Sequence, residues 1–90
     1  MAGDGFKALS DPTRRRILEL LGEGDLTAGE IGAHFDMTKA TLSHHLDVLR
    51  EAGLVSSERH GRNVVYSLET TVLQGIIAWF YDITDKEHQQ

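Results

Sequence analysis

Apolar positions along the chain fall into clusters separated by glycine, proline and short polar runs. Phe6, Ala8 and Leu9 form the first, enough for one or two helical turns. Asp11-Pro12 reads as a helix start. The carboxylate can accept from free N–H groups, and proline costs nothing in a first turn that has no partner for its missing donor. Ile17, Leu18 and Leu21 give that helix an apolar stripe, and Gly22 and Gly24 stop it. Thr27-Ala28-Gly29-Glu30 has the spacing of a capping box and opens a short helix carrying Ile31 and Phe35. Thr38 is the next N-cap. Leu42, Leu46, Leu49 and Ala52 then share one helical face, with Gly53 placed as a left-handed cap.

After Leu54 the period shortens towards two. Val64, Tyr66 and Leu68 alternate with Val65 and Ser67, and Arg59-His60-Gly61-Arg62-Asn63 is the polar tip of a hairpin. Thr70 or Thr71 opens a last helix whose apolar face is Val72, Leu73, Ile76, Ile77, Phe80 and Ile83, with Trp79 on its flank. The pattern predicts a mainly α fold with a small β-hairpin: five helices plus a two-stranded wing, a winged helix-turn-helix. It is one domain over 1–90, with the helix-turn-helix at 27–53, the wing at 54–68 and a C-terminal dimerisation helix at 70–87.

Ninety residues make one small domain, which buries only ~60–65 % of its unfolded surface, so a second copy is expected to complete the core. Absence of cysteine removes disulfides, thiolate metal sites and thiol nucleophiles. No apolar run approaches the ~20 residues of a membrane span, and no export signal is evident, so the cytoplasm is the expected compartment. The net charge of −5 argues mildly against nucleic acid. Its distribution changes that picture. Residues 36–63 hold four positive and four negative charges with His44, His45 and His60, whereas residues 64–90 hold one and four. DNA, if bound, meets the middle of the chain.

Two helices joined by a short turn project the second outward, and a protruding helix fits the ~12 Å major groove. On its exposed N-terminal face Lys39 suits a phosphate, Ala40 allows close approach, and Thr41, Ser43 and His44 suit base edges. Arg59 and Arg62, with His60 and Asn63, place polar groups at the wing tip. His45 lies beside the leucine stripe and reads as packed. Arg14, Arg15 and Arg16 are open to two readings, a phosphate clamp or ion pairs with Asp11, Glu19 and Asp25.

Four linked motifs carry a resemblance. Ser10-Asp11-Pro12-Thr13-Arg14-Arg15-Arg16-Ile17-Leu18, Thr27-Ala28-Gly29-Glu30-Ile31, Leu42-Ser43-His44-His45-Leu46 with Leu49-Arg50-Glu51-Ala52-Gly53-Leu54-Val55, and Arg59 through Leu68 together resemble the ArsR family of bacterial repressors, over roughly residues 6–73. The resemblance implies a DNA-binding repressor, a homodimer built from the first and last helices on a palindromic operator, nucleoid-associated and autoregulatory. The interface residues would be Phe6, Leu9, Leu73, Ile76, Ile77, Trp79 and Phe80. Apolar excess on the last helix agrees with that, and Gly75 within it suits close approach of another backbone. Release through a sequestering protein partner is a further expectation from the same resemblance.

Many relatives sense metals. Here the last helix offers only Asp82, Asp85, Glu87 and His88, a poor tetrahedral set, so neither metal nor other cofactor is expected. Catalysis is not expected either, because Thr41, Ser43, His44, His45 and Asp47 are strung along one helix rather than converging. A metal-sensing repressor and a protein-binding module that never touches DNA stay as alternatives. Protonation of His34, His44, His45 and His60 is expected to add positive charge near any bound DNA.

Overall fold

The computed structural model describes residues 2–88, with side chains from 5 to 85. The helices are α1 (Ala2–Leu9), α2 (Pro12–Gly22), α3 (Ala28–Gly32), α4 (Lys39–Glu51) and α5 (Thr70–His88). Strands β1 (Leu26–Thr27), β2 (Val55–His60) and β3 (Asn63–Leu68) form one antiparallel sheet in the order β1-β3-β2. The helix count agrees with the sequence pattern. The sheet has one strand more than the two expected, because Leu26 and Thr27 pair with Tyr66 and Val65.

Local chemistry explains most boundaries. The Asp11 carboxylate accepts from the Arg14 backbone N–H at 3.0 Å, and Pro12 occupies the first turn of α2. Thr27 and Glu30 close a complete capping box: Thr27 N–H donates to Glu30 Oε1 at 2.8 Å and Glu30 N–H to Thr27 Oγ1 at 3.1 Å. Helix α3 is shorter than expected. Phe35 lies beyond it, in a turn closed by its N–H to the Gly32 carbonyl, and still packs on the core. Gly53 ends α4 at φ +77°, where an added Cβ would also stand 3.1 Å from Val72 Cγ2.

The core lies where α2, α3, α4 and the sheet converge. Ile17, Ile31, Leu46, Leu49 and Leu54 are fully enclosed there, each contributing about 2 kcal/mol of apolar burial. The leucine stripe of α4 faces inward, so the opposite face of that helix is turned to solvent. The molecule is elongated, 54 × 24 × 22 Å, with a radius of gyration of 14.8 Å, above the ~12 Å of a compact chain of this length.

Helix α5 divides along its length. Val72 and Leu73 pack on the core and Ile76 is 6 % exposed, whereas Ile77, Trp79 and Phe80 are 46, 50 and 53 % exposed and Tyr81 and Ile83 join them. Gly5 permits the close approach of α1, since an added Cβ would lie 2.9 Å from Ile76 Cδ1. Gly75 has no such neighbour, and a Cβ there would meet open space.

Candidate nucleic-acid interface

The site begins at Thr38. Its hydroxyl accepts the Thr41 backbone N–H at 3.1 Å and donates to Thr41 Oγ1 at 2.9 Å, so the first turn of α4 is capped and tied to Thr41. Lys39, Ala40, Thr41, Ser43 and His44 are all exposed, as the sequence pattern required. No acidic residue stands in this first turn. Asp47 comes a turn later and is held by Arg50, Nη2 to Oδ1 at 3.0 Å. The N-terminal half of α4 therefore presents one cation, small hydroxyls and an imidazole.

The wing supplies a second element. His60 pairs with Asn63 across Gly61-Arg62, and Gly61 adopts φ +64° while Arg62 does not have positive φ, as in a type II′ hairpin turn. Alternation along β2 places Arg59 on the face opposite Glu58 and His60. That separation matters, because Glu58 Oε2 lies 3.7 Å from His60 Nε2 and takes up its charge when the ring is protonated. Arg59 and Arg62 are exposed, and their side chains make no hydrogen bond among the described residues. A groove of about 460 Å³ lies between α3 and the start of α4, bounded by Gly29 and Gly32 of α3, Lys39 and Ser43 of α4, and Tyr66 of β3, and does not reach the wing tip.

The three consecutive arginines follow neither reading offered by the sequence as a group. Arg14 Nε donates to the Ala8 carbonyl at 2.8 Å and Nη2 to the Lys7 carbonyl at 3.2 Å; Arg15 Nη1 donates to the Leu9 carbonyl at 2.8 Å. They close the open carbonyls at the C-terminus of α1, where a cation also complements the helix dipole. Of the three, Arg16 alone makes an ion pair among the described residues, with Glu19 at 4.0 Å. The sequence signal for this was the short gap between an apolar turn and Asp11-Pro12, which puts three cations beside a helix end.

His45 is mostly buried, and its Nδ1 lies 3.1 Å from Arg14 Nη1 and 3.9 Å from Asp11 Oδ2. Burial works to raise the Asp11 carboxyl, but the Arg14 backbone N–H, the charge His45 carries once protonated in acid, and the Arg14 guanidinium outweigh it and hold the group below the ordinary aspartate value. His45 is thus committed to Arg14 and Asp11 rather than to Ser43.

On the far side, Phe6 packs edge-on against Trp79 and Phe80, with ring centroids 5.4 and 5.9 Å away. Of the seven residues expected at an interface, Ile77, Trp79 and Phe80 are broadly exposed and Phe6 partly so. Leu9, Leu73 and Ile76 already pack within the chain. Asp82 and Asp85 are exposed on α5, and the side chains of Glu87 and His88 lie outside the described residues. Among the described residues no group of three or more His, Asp or Glu is placed to hold a metal ion, and no helix is long and apolar enough to cross a membrane.

A family model described as bacterial regulatory protein, arsR family, matches residues 11–57. The chain is 52 % identical over 81 residues to the transcriptional repressor SdpR of Bacillus subtilis, a match covering 90 % of each chain. It is 45 % identical over 62 residues to the HTH-type transcriptional regulator CmtR of Mycobacterium tuberculosis, covering 69 % of this chain and 52 % of that one. The crystal structure of an ArsR family transcriptional regulator superposes with a TM-score of 0.92 at 27 % identity, covering 98 % of this chain and 91 % of the other.

Proposed function

The chain belongs to the ArsR family of bacterial regulatory proteins, and from that premise we propose that it is a DNA-binding transcriptional repressor, chemically passive, that blocks a promoter by occupying it. The observation that carries this is the solvent-facing first half of α4. It holds Lys39, Ala40, Thr41, Ser43 and His44 on a capped turn free of acid, beside a wing tip that carries Arg59 and Arg62. Lys39, Arg59 and Arg62 neutralise phosphates and set the register. Ala40, Thr41, Ser43 and His44 read base edges in the major groove.

The working form is a homodimer. Ile77, Trp79, Phe80 and Tyr81 on one helix are more apolar surface than a soluble monomer of this size ordinarily leaves open. A two-fold axis at that face would set two copies of α4 about one DNA turn apart, ~34 Å, and so select a palindromic operator. The target includes its own promoter, the protein acts in the cytoplasm at the nucleoid, and release follows from abundance or a sequestering protein partner rather than from metal.

Electrophoretic mobility with sedimentation, using DNA upstream of its own gene with and without zinc and a chelator, tests the DNA binding, the dimer and the indifference to metal. The expected result is one retarded species containing a dimer, indifferent to metal. A dimer that retards nothing at low salt would turn the assignment towards a protein-binding module, and retardation abolished by zinc would make it a metal sensor.

A further inference from the structure

Arg14 does more than close the end of α1. Two arms of its guanidinium are anchored on the Lys7 and Ala8 carbonyls, at 3.2 and 2.8 Å. The third reaches α4, where Nη1 stands 3.1 Å from His45 Nδ1. A guanidinium only donates, so Nδ1 must accept, and the imidazole in this arrangement is neutral with its proton on Nε2. His45 is adjacent to His44 and two residues from Ser43 on the same helix. At the other end, Phe6 of α1 packs on Trp79 and Phe80. One side chain thus bridges the helix that docks on the aromatic face of α5 and the helix that presents the DNA-facing residues.

We infer that Arg14 and His45 are a positioning pair for DNA recognition, their hydrogen bond coupling the placement of α1, and through Phe6 the aromatic face of α5, to the orientation of α4. This rests on the reading of α4 as the DNA-reading helix. An eight-residue helix has little stability of its own, so docking decides where α1 sits. Because the guanidinium is tied to the carbonyls of α1, any shift of that helix moves Nη1 relative to His45. A second copy or another protein seated on the α5 face would be felt at the DNA-reading helix by this route.

The bond carries its own signature. His45 Nδ1 faces Arg14 from the body of α2 and Asp11 from its N-cap, with the His44 ring beside it on α4, centroids 5.9 Å apart. Protonating Nδ1 turns the acceptor into a donor and sets a cation against the guanidinium, leaving Asp11 as the favoured partner. The Arg14 link exists only while His45 is neutral.

The test uses duplex DNA selected by the wild-type protein from a random-sequence pool. Affinity is measured by fluorescence anisotropy at constant salt from about pH 8 to about pH 5.5. His45→Asn keeps an acceptor near the Nδ1 position and cannot be protonated there. His45→Leu removes the acceptor, and Arg14→Lys removes the fork. At the alkaline end, His45→Asn is expected within about twofold of wild type, and the other two folded variants about tenfold weaker, the ordinary size of coupling between sites.

As pH falls, wild type should lose affinity relative to His45→Asn; the other four histidines are common to both proteins, so their ratio isolates position 45. A folded His45→Leu that binds as wild type does, or a ratio that stays constant with pH, overturns the inference. Where His45→Leu does not fold, the ratio alone decides. A wild-type protein that selects no duplex instead overturns the DNA-reading assignment and this inference with it, before any variant is made.

Discussion

Phe6 meets Trp79 edge to face, with ring centroids 5.4 Å apart and the ring planes at 65°. That contact fastens the first helix to the last. It needs two further features to form: Gly5, which lets Ile76 come close, and the arginine-closed C-terminus, which stops α1 where the chain turns into α2. Helix α1 thereby covers Ile76 and one side of Trp79 and Phe80, and leaves Ile77, Tyr81 and about half of both rings open.

Phe6→Ala should release α1. Full truncation of a core phenylalanine costs ~3–5 kcal/mol, and Phe6 is only partly buried, so a loss of about 2 kcal/mol is expected. Trp79 is the only tryptophan, so its emission reports the loss directly. A red shift together with a lowered urea midpoint is the expected result. An unchanged spectrum would show that α1 does not depend on this ring.

Two glycines should respond in opposite directions to the same change. Gly75 lies within α5 with nothing near its Cβ position, so Gly75→Ala should stabilise the chain by up to ~1 kcal/mol through helix propensity. Gly53 sits at φ +77° with Val72 at 3.1 Å, so Gly53→Ala should destabilise by about 1–2 kcal/mol. Urea unfolding at several protein concentrations checks both. If Gly75→Ala instead made unfolding more concentration-dependent and less stable, a second copy would have to approach at residue 75.

Much of this architecture was legible because its causes are local. Asp11-Pro12, the Thr27–Glu30 box, the Thr38 cap and Gly53 each state their role within four residues of sequence, and each is found in that role. What was not legible depends on distant partners. Leu26 and Thr27 are too short a run to show a period, and only pairing with Tyr66 and Val65 makes them a strand. The stripe of α5 reads as continuous in sequence, yet the chain buries it fully only as far as Ile76, because periodicity gives a face and not the extent of its cover. The exposure of the α4 face was legible from the leucine stripe alone, whereas the Arg14–His45 bond joins residues thirty-one apart and left no pattern.

Asp11 gives stability a definite pH dependence. Its folded-state carboxyl is held below the ordinary value, so its contribution is fully present above the unfolded value of ~3.9 and is lost as pH falls through the folded one. Asp11→Asn keeps an oxygen for the Arg14 N–H but no titrating charge. Acid unfolding should therefore be shallower in the variant, with the two proteins separated by a constant difference above about pH 4 and converging as pH falls below it. Parallel stability curves over the whole range would remove Asp11 from the acid response.

The two groups of DNA-facing residues should separate by salt and sequence. In the proposed complex Lys39, Arg59 and Arg62 would supply three phosphate contacts per protomer, about six for a dimer, and each would contribute ~0.9 to the slope of log affinity against log salt. A slope near −5 is expected, shallower than that of a protein with ten such contacts. Arg62→Ala in both protomers should weaken all sequences alike and reduce the slope by about 2, one unit for each lost cation. Ser43→Ala and His44→Ala should leave the slope in place and relax choice at individual base pairs, each worth ~1–3 kcal/mol. Binding to a panel of single-base operator variants at three salt concentrations distinguishes the two behaviours. If Ser43→Ala weakened every duplex equally, the first turn of α4 would be gripping the backbone, and the wing would have to carry the sequence choice.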